Sequence, residues 1–153
     1  MKPSDVVKRT LQYYWRTTRS LTLGAQACVL TEDNKVLLIK HTYRPGWHFP
    51  GGGVEKNETI RGALERELRE EANVELTADP VLFGIYSNFA YFPGDHIALF
   101  TVRHWHQPSA PSPSHEIAAH AFFPITDLPD QINPPTLARI NEITTGAKPS
   151  DSW

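Results

Sequence analysis

The stretch from Thr59 to Ala72, a run of strong helix formers interrupted only by Gly62 and preceded by Gly51, Gly52 and Gly53, constrains this chain more than any other feature. On a helix turning by ~100° per residue, Glu67, Glu70 and Glu71 fall at i, i+3 and i+4 and so share one face. The adjoining sector carries Leu64, Leu68 and Ala72, an apolar stripe that anchors such a helix to a sheet, while Glu65 and Arg69 point toward solvent. The acidic face is therefore expected at the edge of the core.

Part of this charge balances itself as on any solvated helix: Glu65 with Arg69 and Arg66 with Glu70 stand at i, i+4. Glu67 and Glu71 are like charges at the same spacing, and Ala63, one turn earlier, offers no cation. A hard divalent cation resolves this, because Mg²⁺ prefers oxygen ligands and commonly bridges a few carboxylates to phosphates. The three glycines predict a tight turn that aims the helix. No Gly-Lys-Ser/Thr follows them, which excludes a Walker-type phosphate loop.

Around this helix the pattern reads as strands. Thr22 to Thr31 and Lys35 to Thr42, separated by Glu32, Asp33 and Asn34, predict a β-hairpin, and Trp47 to Pro50 a short strand. Val81 to Tyr91 and His96 to His106 predict neighbouring strands around the turn Pro93-Gly94-Asp95. Gln107 to Ser114, with three prolines and three serines, predicts an exposed loop, Glu116 to Pro124 a last strand, and Leu137 to Thr145 a terminal helix. Strands, a central helix, more strands and a last helix make an α+β sandwich with mixed strand directions. Residues 1–20 are expected to form an N-terminal helical extension, 21–130 the main domain, and 131–153 a C-terminal helix and tail.

In the extension, Val7, Leu11 and Tyr14 recur at helical spacing with Lys8, Arg9 and Arg16 around them. Such a helix could lie on a membrane or on nucleic acid, or pack on its own domain or across a dimer; packing is the expected use. A length of 153 residues with 40% apolar content suits one compact domain. A formal charge of −2 provides no global positive field for nucleic acid or an anionic membrane, so neither is an expected partner. Cys28, the single cysteine, lies in an apolar stretch and reads as a small buried hydrophobe. The seven histidines are scattered without the spacing of a metal cluster. Without an apolar run of secretory or membrane-spanning length, the expected location is cytoplasmic.

Counting from Gly52, the chain reads glycine, five residues, Glu58, seven residues, then Arg66-Glu67-Leu68-Arg69-Glu70-Glu71-Ala72-Asn73-Val74. This resembles the Nudix box, the signature of the MutT-like Nudix hydrolases, departing from it only at Asn73, where the signature has glycine. Asparagine is the next best residue to glycine for a left-handed helix end, so the departure does not disturb the motif. A weaker resemblance extends from about Leu21 to Pro129. It implies a Nudix-type α/β/α sandwich and a Mg²⁺- or Mn²⁺-dependent hydrolase that cuts the diphosphate linkage of a nucleoside diphosphate derivative. By the same resemblance Glu67, Glu70 and Glu71 hold metal, with Glu58 as a further ligand or a partner of the helix dipole.

Glu67 is then the first candidate for the proton acceptor and Glu116, before the last strand, the second. Arg66 is expected to pair with a box carboxylate and hold it in place. Arg44 and Trp47 before the glycines, Gly52 and Gly53 themselves, and Tyr86 are candidate substrate-binding positions. Tyr43, Phe89, Tyr91 and Phe92 complete an aromatic-lined pocket in which a flat group could stack, or else a core or dimer interface. Two other function classes stay open: a non-catalytic nucleotide-binding module of the same fold, and an isomerase like those acting on isoprenoid diphosphates, which relies on a reactive cysteine.

Overall fold

Apolar residues fill both faces of the first two long strands, and this doubling decides the architecture. The computed structural model describes residues 3–112 and 114–153, apart from the side chains of residues 3, 4, 5 and 8. Met1 and Lys2 of the expected extension, the Lys8 side chain of its basic face and Pro113 of the expected loop thus lie outside the described residues. The elements run α1 (Pro3–Thr18), β1 (Thr22–Val29), β2 (Lys35–His41), β3 (Trp47–His48), β4 (Gly51–Gly53), α2 (Ile60–Ala72), β5 (Glu75–Leu76), β6 (Val81–Ser87), β7 (Asp95–Val102), β8 (Trp105–His106), β9 (Ile117–Pro124) and α3 (Pro134–Thr145).

Along β1, Ala25, Ala27 and Val29 point to one side and join Leu64, Leu68 and Ala72 of α2 in one core cluster. Cys28 and the following Leu30 point to the other side, where they meet Ile140 of α3, Phe49 and Tyr86. In β2, Leu37 belongs to the first cluster, Val36 and Leu38 to the second. A period of two with both phases apolar is the signature of strands covered on both faces. Two helices on opposite sides of the strands make the α/β/α sandwich. Burying a leucine such as Leu64 or Leu68 contributes about 1.5–3 kcal/mol, enough to dock α2 despite its charged face.

The strands form a mixed sheet ordered β4-β1-β7-β6, in which β1 and β7 are parallel and the other pairs antiparallel, together with an antiparallel β3-β2-β9 sheet and a small β5-β8 pair. This corrects the expected hairpin: β1 has β4 and β7 on its two edges, β2 has β3 and β9, and no edge remains for them to share. Only the bridge between Leu30 and Val36 persists beside the turn, where Asn34 is left-handed at φ 56°. The expected strand from His96 to His106 splits, since Trp105–His106 leaves the main sheet to pair with Glu75–Leu76. The terminal helix begins at Pro134, with Asn133 capping it through a side chain that accepts from Thr136 N.

Every described side chain of α1 is exposed, including Val7, Leu11 and Tyr14, so of the two packings expected of this helix the one on its own domain is not made and the one across a dimer stays untested. The faces of the central strands are covered by α2 and by α3, and the apolar side chains that stay exposed on the body, Val81, Leu82 and Ile85 of β6 among them, are not covered by α1. Among the described residues no helix is long and apolar enough to cross a membrane.

Candidate active site

The acidic helix is placed by its two ends. Thr59 caps α2, its hydroxyl accepting from Gly62 N at 3.0 Å. At the other end Asn73 adopts the left-handed conformation, φ 51°, donates its N–H to Arg69 O, and its side-chain amide donates to the carbonyl and hydroxyl of Ser109. Asparagine therefore performs the stop that glycine makes in the motif.

The glycines are not a turn. Gly51, Gly52 and Gly53 form β4 and pair with Gln26, Ala25 and Gly24 of β1. Glycine is required because of what lies on either side: a Cβ on Gly51 would collide with the Ala25 carbonyl, and one on Gly52 would occupy the place of the Glu67 carboxylate. The backbone of β4 thus passes directly over the acidic face of α2. Gly51 N–H donates to Glu71 Oε2 at 2.7 Å and fixes that carboxylate in the interior.

Arg66 is the centre of a charged network. Its Nε and Nη2 donate to the two oxygens of Glu58 at 2.9 and 3.0 Å, its Nη1 to Glu67 Oε1 at 2.6 Å and, more distantly, to Glu70 at 3.5 Å, and Nη2 also reaches Gly53 O. Bidentate contact with Arg66 pulls the Glu58 carboxyl down to about 2. Burial raises the Glu67 carboxyl, and Arg66 only partly offsets it. Glu71 is 7% exposed, and burial pushes its carboxyl up to about 8 against the opposing bond from Gly51, with the charges of Glu67 and Glu116 adding to the rise. The expected pairing of Glu65 with Arg69 is replaced by one with Arg61, itself bonded to Asp79.

Glu67, Glu70 and Glu71 do share the expected face. Among the described residues, however, no group of three His, Cys, Asp or Glu side chains is gathered tightly enough to hold an ion. Arg66 supplies the countercharge for Glu58 and Glu67 instead. The donor set still fits a hard divalent cation in chemistry: oxygens only, two of them on carboxylates that burial disfavours as bare anions, beside a glycine strand whose missing side chain leaves the Glu67 carboxylate its place.

One neighbour carries no signal in the sequence. His41, the last residue of β2, is 4% exposed, and its Nδ1 lies 4.0 Å from Glu71 Oε1. Burial and the adjacent Arg44 push this imidazole down to about 4, so the ring is neutral and the contact with Glu71 is not an ion pair. Arg44 Nη2 approaches His41 Nε2 at 2.6 Å. His41 is hidden because it continues the apolar run of β2, where a histidine reads as an ordinary strand end. Glu116 is exposed just before β9, and its charge reaches both Glu67 and Glu71.

A cleft of about 590 Å³ opens over β4, lined among others by Gly52, Gly53, Arg44, Tyr43 and Tyr91. A second space of about 470 Å³ shares Arg44, Gln26, Asn88, Tyr91 and Ile97 with it. Of the expected substrate-binding positions, Gly52, Gly53 and Arg44 line the first cleft. Trp47 and Tyr86 line neither space. Trp47 packs edge-on against Phe123, and Tyr86 is fully buried, its hydroxyl donating to Glu142 Oε2 at 2.9 Å beneath the Arg139 guanidinium. Tyr86 shares the α3-side core with Phe83, three positions before it, across a register shift between Leu82 and Gly84, a phase that flanking composition does not reveal. Tyr86→Phe is expected to cost about 1–3 kcal/mol in a thermal or urea melt, for one bond to a carboxylate, and to leave turnover unchanged; a selective fall in turnover would return Tyr86 to the site.

A family model described as the NUDIX domain matches residues 21–142. Among curated relatives, an uncharacterized Nudix hydrolase, YvcI, from Bacillus subtilis is 41% identical over 70 residues, which are 46% of this chain and 43% of that protein. An RNA pyrophosphohydrolase from Hydrogenovibrio crunogenus is 34% identical over 80 residues, 52% of this chain and 46% of that one. The chain spans about half the length of the curated relatives it matches. A solved MutT NUDIX hydrolase from Burkholderia pseudomallei superposes with a TM-score of 0.69 at 23% identity, covering 81% of this chain and 98% of that chain, and so shares the fold.

Proposed function

The chain belongs to the Nudix family, the match covering residues 21–142, and from that premise we propose that it hydrolyses the diphosphate linkage of a nucleoside diphosphate derivative, with Mg²⁺ or Mn²⁺ held by Glu67, Glu70 and Glu71. The observation that carries this reading is the glycine strand against the acidic face, where the missing side chain of Gly52 leaves the Glu67 carboxylate its place and Gly51 N–H ties Glu71 down. When bound, a divalent ion neutralises diphosphate charge and lowers the pKa of an attacking water.

The remaining work falls to side chains. Arg66 orients Glu67, whose carboxyl, raised by burial, is the first candidate to take the proton from the attacking water; Glu116, exposed just before β9, is the second. Arg44 lies where the two spaces meet and offers guanidinium N–H groups to a substrate phosphate. Its Nε is buried with no partner among the described residues, which suits a donor waiting for an anionic ligand. Tyr43 and Tyr91, both exposed at the cleft, provide flat faces for a base or other planar group.

An isomerase relying on a reactive cysteine is disfavoured, since Cys28 is 1% exposed within the α3-side core and burial pushes its thiol up to about 12. The test is to incubate the protein with Mg²⁺ and a panel of nucleoside diphosphate derivatives, following phosphate and nucleotide release beside Glu67→Gln. Release by the wild type, reduced on the order of a hundredfold or more in the variant, supports the reading. Equal release by both would remove Glu67 from the chemistry, and no release across the panel with either Mg²⁺ or Mn²⁺ would favour a nucleotide-binding module.

A further inference from the structure

His41 touches two groups of opposite character. Its Nε2 lies 2.6 Å from Arg44 Nη2. A guanidinium carries only donors and does not lose its proton in proteins, so Nε2 must present a lone pair. The single ring hydrogen is thereby assigned to Nδ1. That atom is buried and has no hydrogen-bond partner among the described residues, and Glu71 Oε1 lies 4.0 Å from it. Glu71 has its other oxygen, Oε2, already fixed by Gly51 N–H.

A buried N–H left without an acceptor destabilises the fold, so something must make this arrangement worth keeping. A small rotation of the Glu71 carboxylate about the oxygen held by Gly51 brings Oε1 within reach of Nδ1–H and satisfies both groups. We propose that His41, held in its Nδ1–H form by Arg44, is a positioning residue that orients the Glu71 carboxylate for cation binding. This rests on the reading of Glu71 as a metal ligand. Arg44 also lines both spaces of the cleft, so the same side chain that meets the substrate sets the tautomer behind the metal-binding carboxylate. Partners that orient a metal-site ligand in this way typically change metal affinity by about 10- to 100-fold when removed.

Two substitutions separate the role from mere packing. His41→Asn places an amide N–H close to where Nδ1 stands, whereas His41→Gln places its amide near Nε2, within reach of Arg44 and offering nothing to Glu71. Mn²⁺ binding to the full chain, read by the loss of the free-ion electron paramagnetic resonance signal, should weaken about 10- to 100-fold in His41→Gln and stay within about threefold of wild type in His41→Asn. Imidazole ¹⁵N shifts of the wild type should report the hydrogen on Nδ1, and Arg44→Met should release that preference. Equal Mn²⁺ affinities in the two His41 variants, whether both weakened or both unchanged, would overturn the inference. So would a wild-type ring protonated on Nε2, a measurement that stands even if a variant fails to fold. Wild type that does not bind Mn²⁺ would overturn the reading of Glu71 as a ligand, and this inference with it.

Discussion

Glu71→Gln is expected to raise the thermal midpoint of the metal-free protein while abolishing turnover. Glu71 is 7% exposed, and its carboxyl is pushed from the ordinary 4.5 up to about 8, first by burial and then by the like charge of Glu67. Below the ordinary value both folded and unfolded chains carry the proton, and Glu71 contributes nothing to pH dependence. Between 4.5 and about 8 the folded chain alone keeps it, so stability falls as pH rises, and the full penalty is present above about 8. At ~1.4 kcal/mol per tenfold change in proton affinity, the bound on that penalty is roughly 5 kcal/mol. Relaxation of the site around a buried charge leaves about 1–3 kcal/mol, or roughly 3–10 °C in the midpoint.

Glutamine keeps the shape and the acceptor for Gly51 N–H without the charge. Melts in chelator should therefore show the variant gaining on wild type as pH is raised from 5 to 8. Added Mg²⁺ should raise the wild-type midpoint and leave the variant's where it is. Turnover should fall on the order of a thousandfold or more, since the charge proposed to hold the metal is gone. Parallel midpoints at every pH would show that Glu71 is no burden to the fold.

Adjacent glycines of β4 should fail in different ways when given a methyl group. Gly51 sits at φ 143°, and its added Cβ would run into the carbonyl of Ala25 and approach Gln26 Cα at 2.7 Å. Those atoms belong to β1, paired on both edges, so nothing can give way, and Gly51→Ala should lose more than about 4 kcal/mol and most of its folded yield. In Gly52→Ala the obstruction is instead the far end of the flexible Glu67 side chain. The fold should survive within about 1 kcal/mol, but Glu67 is displaced from its place against β4 and kcat should fall on the order of a hundredfold. Gly53, with nothing within 4 Å of a new Cβ, is the internal control and should tolerate alanine in both measurements. Circular dichroism melts beside steady-state kinetics read the three outcomes, and an active Gly52→Ala would exclude a catalytic role for the carboxylate at that position.

The parts of this protein that depend on neighbours along the chain are legible in the order of residues itself. The acidic face of α2 follows from the helical period alone, as does the apolar stripe of Leu64 and Leu68 that docks it. Asn73 ends that helix because asparagine tolerates the left-handed conformation, a local preference. The bond from Arg66 to Glu70 is readable from spacing too, although the stronger partners are Glu58 and Glu67.

What composition does not disclose is which edges the strands share. The apolar runs of β1 and β2 reveal that both faces are buried, but the hydrogen-bonding edge of a strand carries no side-chain signature, so a hairpin and two separate sheets look alike. The same blindness makes a glycine strand look like a turn, and Tyr86 look like a cleft residue when its phase on β6 turns it into the core. Tertiary structure alone brings His41, at the end of β2, beside Glu71 from α2 and Arg44 from the following loop. Sequence determined the chemistry carried by one helix because an α-helix fixes side-chain directions over a few residues. The fold decided what that helix faces, since residues far apart in the chain meet only through the pairing of strands.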